Sequence, residues 1–270
     1  RGGVIESTAY TVDTPLLSTA TVFAKSAPEG GMYQTMFDLA EASYVRPTSL
    51  QSYPGMRGGV APPVVDGISF GISARELGLN MPSDTLPNDG NVFADGYFVA
   101  FDQDYLDRSS VALVGRTQDA LFLTFRGTAN ISDWSDNFVD MRGHYDRFKP
   151  LTDRIKIYLG DHPEIETVYV GGHSLGGQMA SMYMRENPNL VGGVSYQAVT
   201  FEAANKMESS EYDEQDGRFI NFEMRGDPVP DLSLGKSGSN YGKTVHIDVE
   251  RDTFVLTHMM GAIGAPGVFD

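Results

Sequence analysis

Short runs of apolar and β-branched residues recur through the second two thirds of the chain and predict strands at Tyr97–Phe101, Val111–Val114, Ala120–Phe125, Glu166–Val170, Tyr196–Phe201 and Arg218–Met224, with an alternating run at Thr244–Val249. The turn-length Gly115–Asp119 between two of them predicts an antiparallel hairpin. Helical spacing takes over elsewhere. Met32, Met36, Phe37, Ala40 and Tyr44 follow Gly30-Gly31 at the period of an amphipathic helix. Phe148, Leu151, Ile155, Tyr158 and Leu159 mark a second helix, expected to stop at Gly160 with Pro163 beyond it. A third is expected from about Leu175 to Arg185. Between Arg46 and Gly90 the pattern dissolves into prolines and glycines, which predicts long irregular connections with one short helix near Ala74–Leu79.

Strands that alternate with helices imply a central mostly parallel, mixed sheet covered by helices on both faces, an α/β fold. A length of 270 residues fits a single domain, with residues 1–96 as a helix and loop-rich region and residues 120–260 as the core. No repeat or low-complexity tract interrupts it.

Composition narrows the chemistry. The chain has no cysteine, which excludes disulfides, thiolate metal sites and cysteine nucleophiles. Its formal charge of −16 repels phosphate backbones, so nucleic acid is not an expected partner. No apolar run is long enough for a transmembrane helix, and the chain opens at Arg1 without a signal-like segment, which fits a leader already removed. Gly235-Lys236-Ser237 lacks the glycine that a P-loop needs five residues earlier, where Pro230 stands, and Asp102, Asp104 and Asp107 lack the glycine and terminal glutamate of a calcium loop. Neither a metal nor a cofactor is expected.

Gly172-His173-Ser174-Leu175-Gly176 fits G-x-S-x-G, whose glycines let a strand turn sharply into a helix and present the serine in a strained backbone. Gly67-Ile68-Ser69-Phe70-Gly71 fits as well, but it follows Pro62-Pro63 with no strand and helix around it. Ser174 instead lies between the β-rich Thr167–Val170 and the helical Gln178–Met184. It is the candidate nucleophile. Leu175 N–H, at the start of that helix, would be one oxyanion donor, and Thr128, just after the strand Leu121–Phe125, would supply the other from its N–H and hydroxyl.

Jointly, Phe125-Arg126-Gly127-Thr128, Asp133-Trp134-Ser135-Asp136-Asn137-Phe138, Gly172–Gly177, Gly226-Asp227-Pro228-Val229-Pro230 and Thr257-His258 resemble, in order, the hallmarks of the class 3, fungal-type lipases. The resemblance covers roughly Ala120 to Met260. It implies an α/β-hydrolase fold with Ser174 as nucleophile, Asp227 as the acid that orients the base and His258 as the base. Thr128 and Leu175 would form the oxyanion hole. Residues 129–138, with Ile131, Trp134 and Phe138, would form a hinged lid. The implied substrates are lipid or other esters, met at a lipid–water interface, and the implied setting is extracellular. Two segments depart from the family: His144-Tyr145-Asp146-Arg147-Phe148 replaces a small-residue motif, and Glu202-Ala203-Ala204-Asn205 lacks the glycine and proline common after that strand.

Chemistry asks for the same partners. A serine hydroxyl needs an imidazole to take its proton and a buried carboxylate to fix that ring. His144, His162 and His173 come before the serine or abut it, which is the wrong order, and His246 sits inside a strand rather than at its end. His258 lies at an element boundary. Asp227 follows an apolar strand, with Asp231 as the alternative, while Asp213 and Asp216 fall in a charged run, Glu208–Asp216, that predicts a solvated loop. The function expected is carboxylic ester hydrolysis through an acyl-enzyme, as a lipase, or else a phospholipase A-type enzyme or general esterase. A hydrolase scaffold kept only for binding is the other class of reading.

Overall fold

The computed structural model describes residues 31–44, 68, 72, 77–78, 91–94, 96–100, 110–127, 141–188, 193–203, 216–227, 229 and 242–247. Among them run helix α1 (Met32–Ala42), strands β1 (Asn91–Ala94), β2 (Tyr97–Ala100), β3 (Ser110–Arg116) and β4 (Ala120–Phe125), and helices α2 (Met141–Asp146) and α3 (Lys149–Asp161). Strand β5 (Thr167–His173), helix α4 (Leu175–Glu186) and strands β6 (Ser195–Phe201), β7 (Phe219–Met224) and β8 (Lys243–Ile247) follow.

The eight strands form one sheet in sequence order. Strands β1 to β4 pair antiparallel, and β4 to β8 pair parallel. The central strands are buried along their whole length on both faces, which explains why β4 and β5 read as nearly continuous apolar runs. Their side chains divide by parity. Leu121, Leu123 and Phe125 of β4 and Val168 and Val170 of β5 face the core beneath α2, α3 and α4, whereas Ala120, Phe122 and Tyr169 face the core beneath α1. Crossovers that advance the sheet in one direction with right-handed connections put α2, α3 and α4 on the same face. Helix α1 covers the other. It buries Met36, Phe37 and Leu39, each contributing roughly 1.5–3 kcal/mol, and sets Phe37 edge-on to Phe201 at 5.4 Å between centroids. The chain thus has an α/β fold, a mixed and largely parallel sheet between two helical layers.

The structure departs from the sequence expectation at several elements. Helix α3 passes through Gly160 and ends at Asp161. A Cβ at Gly160 would meet nothing within 4 Å, so no close approach demands a glycine there. The stop comes from Pro163, which disfavours helical backbone at the residue before it, and His162 takes φ −123°, ψ 71°. Strand β5 runs on through Gly171, Gly172 and His173, because the parallel ladder to β6 continues to His173 opposite Phe201. Strand β1 and helix α2 were not expected at all. β1 pairs antiparallel with β2, Ala94 opposite Tyr97, and α2 is a six-residue segment that presents Tyr145 to the core. Of the short helix expected at Ala74–Leu79, only Leu77 and Gly78 are described, as a turn.

Candidate active site

Ser174 stands where β5 ends and α4 begins, with φ 56° and ψ −123°. A non-glycine residue at positive φ is strained by about 1–3 kcal/mol and persists only where its surroundings enforce it. The enforcement is visible on both sides. A Cβ at Gly172 would collide with the Gly176 backbone, and one at Gly176 would collide with the carbonyl of Phe125 in β4. The helix therefore enters directly against the sheet, and the serine is pinched between them. Gly176→Ala is expected to lower stability by about 3 kcal/mol or more, since its clash is with backbone that has no rotamer to yield. An unchanged urea midpoint in that variant would contradict the close α4–β4 contact.

Beyond the carboxyl ends of the parallel strands, the sheet's hydrogen bonding continues sideways. Ser174 N–H donates to Phe201 O at 3.0 Å, Glu202 N–H to Phe222 O at 2.8 Å and Arg225 N–H to Ile247 O at 3.0 Å. Ser174, Glu202 and the turn that carries Asp227 are thereby fixed along one edge, where open α/β sheets gather their reactive groups. Gly127, at the exit of β4, lies against the serine: a Cβ added to it would come within 3.2 Å of Ser174 Cβ and 2.5 Å of His173 O. Gly127 N–H donates to the Tyr44 hydroxyl, which also hydrogen bonds His173 Nδ1 at 2.8 Å. Burial pushes that hydroxyl above its ordinary pKa. Tyr44 thus ties Gly127, at the exit of β4, to the residue before the serine. Leu175 is buried as the first residue of α4, whose first N–H groups have no acceptor within the helix.

Asp227 closes a tight turn after β7. Its N–H donates to Met224 O at 3.1 Å, with Gly226 at φ 90° in the third position, as a type II turn requires. The side chain turns inward. Asp227 is 5% exposed, and its Oδ1 accepts the Val229 N–H at 2.9 Å. Beside it lies Glu202, fully buried, with a left-handed φ of 49° and Oε1 accepting the Met224 N–H at 2.6 Å. Burial, and then the Asp227 carboxyl next to it, raise Glu202 far above the usual carboxylate range.

The structure thus brings Ser174, Leu175 and Asp227 to one edge. Thr128 and His258, the three lid residues Ile131, Trp134 and Phe138, and the alternatives Ser69 and Asp231 lie outside the described residues. The other histidines are occupied elsewhere. His162 Nδ1 pairs with Glu164 at 2.9 Å, His144 of α2 packs edge-on to Phe148, and His246 lies opposite Glu223 within the β7–β8 ladder. Asp216, expected in a solvated loop, instead grips the Arg218 guanidinium at 2.6 Å with its side chain only 8% exposed, anchoring the start of β7. Tyr44 and Glu202 went unrecognised as site residues. The signal for Glu202 was an acidic residue directly after the apolar run of β6. Among the described residues, no cluster of three or more metal-binding side chains gathers, and no helix is long and apolar enough to cross a membrane.

No family model and no curated protein matches this sequence. Solved structures do match. The Lip2 lipase of Yarrowia lipolytica superposes with a TM-score of 0.55 at 13% identity, over 80% of this chain and 79% of that one. A nonglycosylated form of the same lipase gives 0.53, also at 13% identity, over 80% and 79%. Another fungal lipase gives 0.50 at 15% identity, over 85% and 83%. This chain has the fold of the fungal lipases. Within that lipase fold, the edge that carries Ser174, Glu202 and Asp227 is the carboxyl end of the parallel strands.

Proposed function

We propose that this chain is a serine carboxylic ester hydrolase that works through an acyl-enzyme. The observation that carries the reading is Ser174, held at positive φ at the head of α4 by glycines at which any Cβ would run into neighbouring backbone. Ser174 Oγ attacks the ester carbonyl and the imidazole of His258 takes its proton. Leu175 N–H and Thr128 hold the oxyanion, and the buried Asp227 fixes the imidazole and stabilises its charged form. The imidazole then returns the proton to the departing alcohol, and water releases the acid by the same steps.

Acylglycerol esters are the proposed substrates. The likeness to fungal lipases supports them. So does the formal charge of −16, which disfavours approach to anionic phospholipid surfaces more than to neutral acylglycerol. Residues 129–138, with Ile131, Trp134 and Phe138, are proposed as a lid over the acyl site. A fluorophosphonate probe tests the nucleophile, and peptide mapping should find the adduct on Ser174 and none on Ser69. Hydrolysis of short- and long-chain p-nitrophenyl esters then separates lipase from short-chain esterase. Absence of labelling, together with no turnover of any ester, would leave a binding scaffold as the better reading.

A further inference from the structure

We infer that Glu202 is a positioning residue that stays protonated and donates a hydrogen bond from Oε2 to the carboxylate of Asp227. The inference rests on Asp227 being the acid of the proposed site. The two carboxyl groups are in hydrogen-bonding contact at the exits of adjacent strands. Each already accepts one backbone N–H: Glu202 Oε1 that of Met224, Asp227 Oδ1 that of Val229. Glu202 Oε2 is sealed from solvent and receives no hydrogen from any N–H or hydroxyl among the described residues. A buried carboxylate oxygen without a donor is costly, whereas a carboxylic acid O–H there has an acceptor in Asp227.

Two like charges in contact cannot both persist in a buried site, so the pair holds one proton and one negative charge. Burial decides where the proton goes. Glu202 is 0% exposed and Asp227 5%. The charged groups acting on Glu202 among the described residues are Asp227 and Glu223, both acids, and both favour its neutral form. The left-handed backbone that holds Glu202 at φ 49° suits glycine better than glutamate. The side chain occupies a position that the backbone alone would not choose for it. Its effect is on Asp227. Donors from Val229 N–H and Glu202 O–H fix the plane of that carboxylate and weaken it as a base, so that it stays ionised while the imidazolium forms beside it.

The test compares Glu202→Gln, which keeps an acceptor for Met224 and a permanent donor for Asp227, with Glu202→Met, which fills the same space with neither. Glutamine is expected to keep kcat within about threefold, and methionine to lower it roughly ten- to hundredfold with KM little changed. The infrared spectrum of the wild type near neutral pH is expected to carry the carbonyl band of a protonated carboxyl group that Glu202→Gln removes and Ser174→Ala retains. Stability gives a further sign. A glutamate that ionises at its ordinary 4.5 when unfolded but stays protonated when folded makes the wild type lose stability as pH rises above that value. Glutamine does not titrate, so the unfolding midpoint of Glu202→Gln should gain on the wild type with rising pH. Absence of the removable band, or a glutamine variant as impaired as the methionine one, would overturn the inference. An active Ser174→Ala would instead overturn the proposed function and leave the infrared result standing.

Discussion

Ser174→Ala is expected to reduce kcat for ester hydrolysis by about 10⁶-fold while the protein folds as before, because loss of a triad nucleophile leaves only what binding and the oxyanion donors provide. The side chain lost is a single hydroxyl, and the backbone strain at φ 56° is imposed by Gly172 and Gly176, which remain. The variant should therefore unfold within a few degrees of the wild type. That separation of activity from stability is what makes the measurement decisive. Steady-state hydrolysis of a p-nitrophenyl ester, with a thermal melt alongside, suffices. Residual activity within tenfold of the wild type would remove Ser174 from the chemistry.

Asp227→Asn should lower kcat by about 10⁴-fold, with KM within a fewfold, as expected when an imidazole loses the anion that sets its tautomer. The amide can still accept the Val229 N–H that Asp227 Oδ1 takes at 2.9 Å, so the turn after β7 is expected to survive. Its charge cannot survive. Glu202 would lose the neighbouring acid that helps to hold its proton and should ionise more readily in this variant than in the wild type. The loss in kcat read across pH is the check. An Asp227→Asn enzyme with near-normal kcat would point to another carboxylate as the acid.

The sequence carried the sheet because burial on both faces leaves a direct trace. β4 reads Ala-Leu-Phe-Leu-Thr-Phe with every residue buried, and no solvent-facing position breaks the run. Helix α1 was legible for the opposite reason, since only one face of it meets the sheet, whereas α4, buried from Leu175 to Met184, was legible from the glycine turn that opens it. β1 was not legible. Four residues are too few to show a period, and its pairing with β2 depends on where the chain turns at Gly96. The end of α3 was misplaced because glycine is a stop signal only where the backbone must take positive φ, which Gly160 does not. Within the site, Ser174 stood out through the glycines around it and Asp227 through its place after an apolar strand. Glu202 read only as a departure from a familiar pattern. Its partner lies one strand away but 25 residues on, and that proximity exists only once β6 and β7 are paired.

Neighbouring strands in any sheet lie ~4.8 Å apart, and the sheet here works as a ruler for the site. Ser174 leaves β5 and Asp227 follows β7, two strand widths away. The interval of roughly 10 Å is too wide for the two side chains to touch and about wide enough for one imidazole with a hydrogen bond at each end. The strand between them, β6, is followed directly by Glu202, whose side chain is wholly buried. The gap is set by main-chain pairing rather than by the residues that line it. Substitutions can accumulate through the strands without changing the width into which a base must fit, which suits a fold held in common at 13% identity.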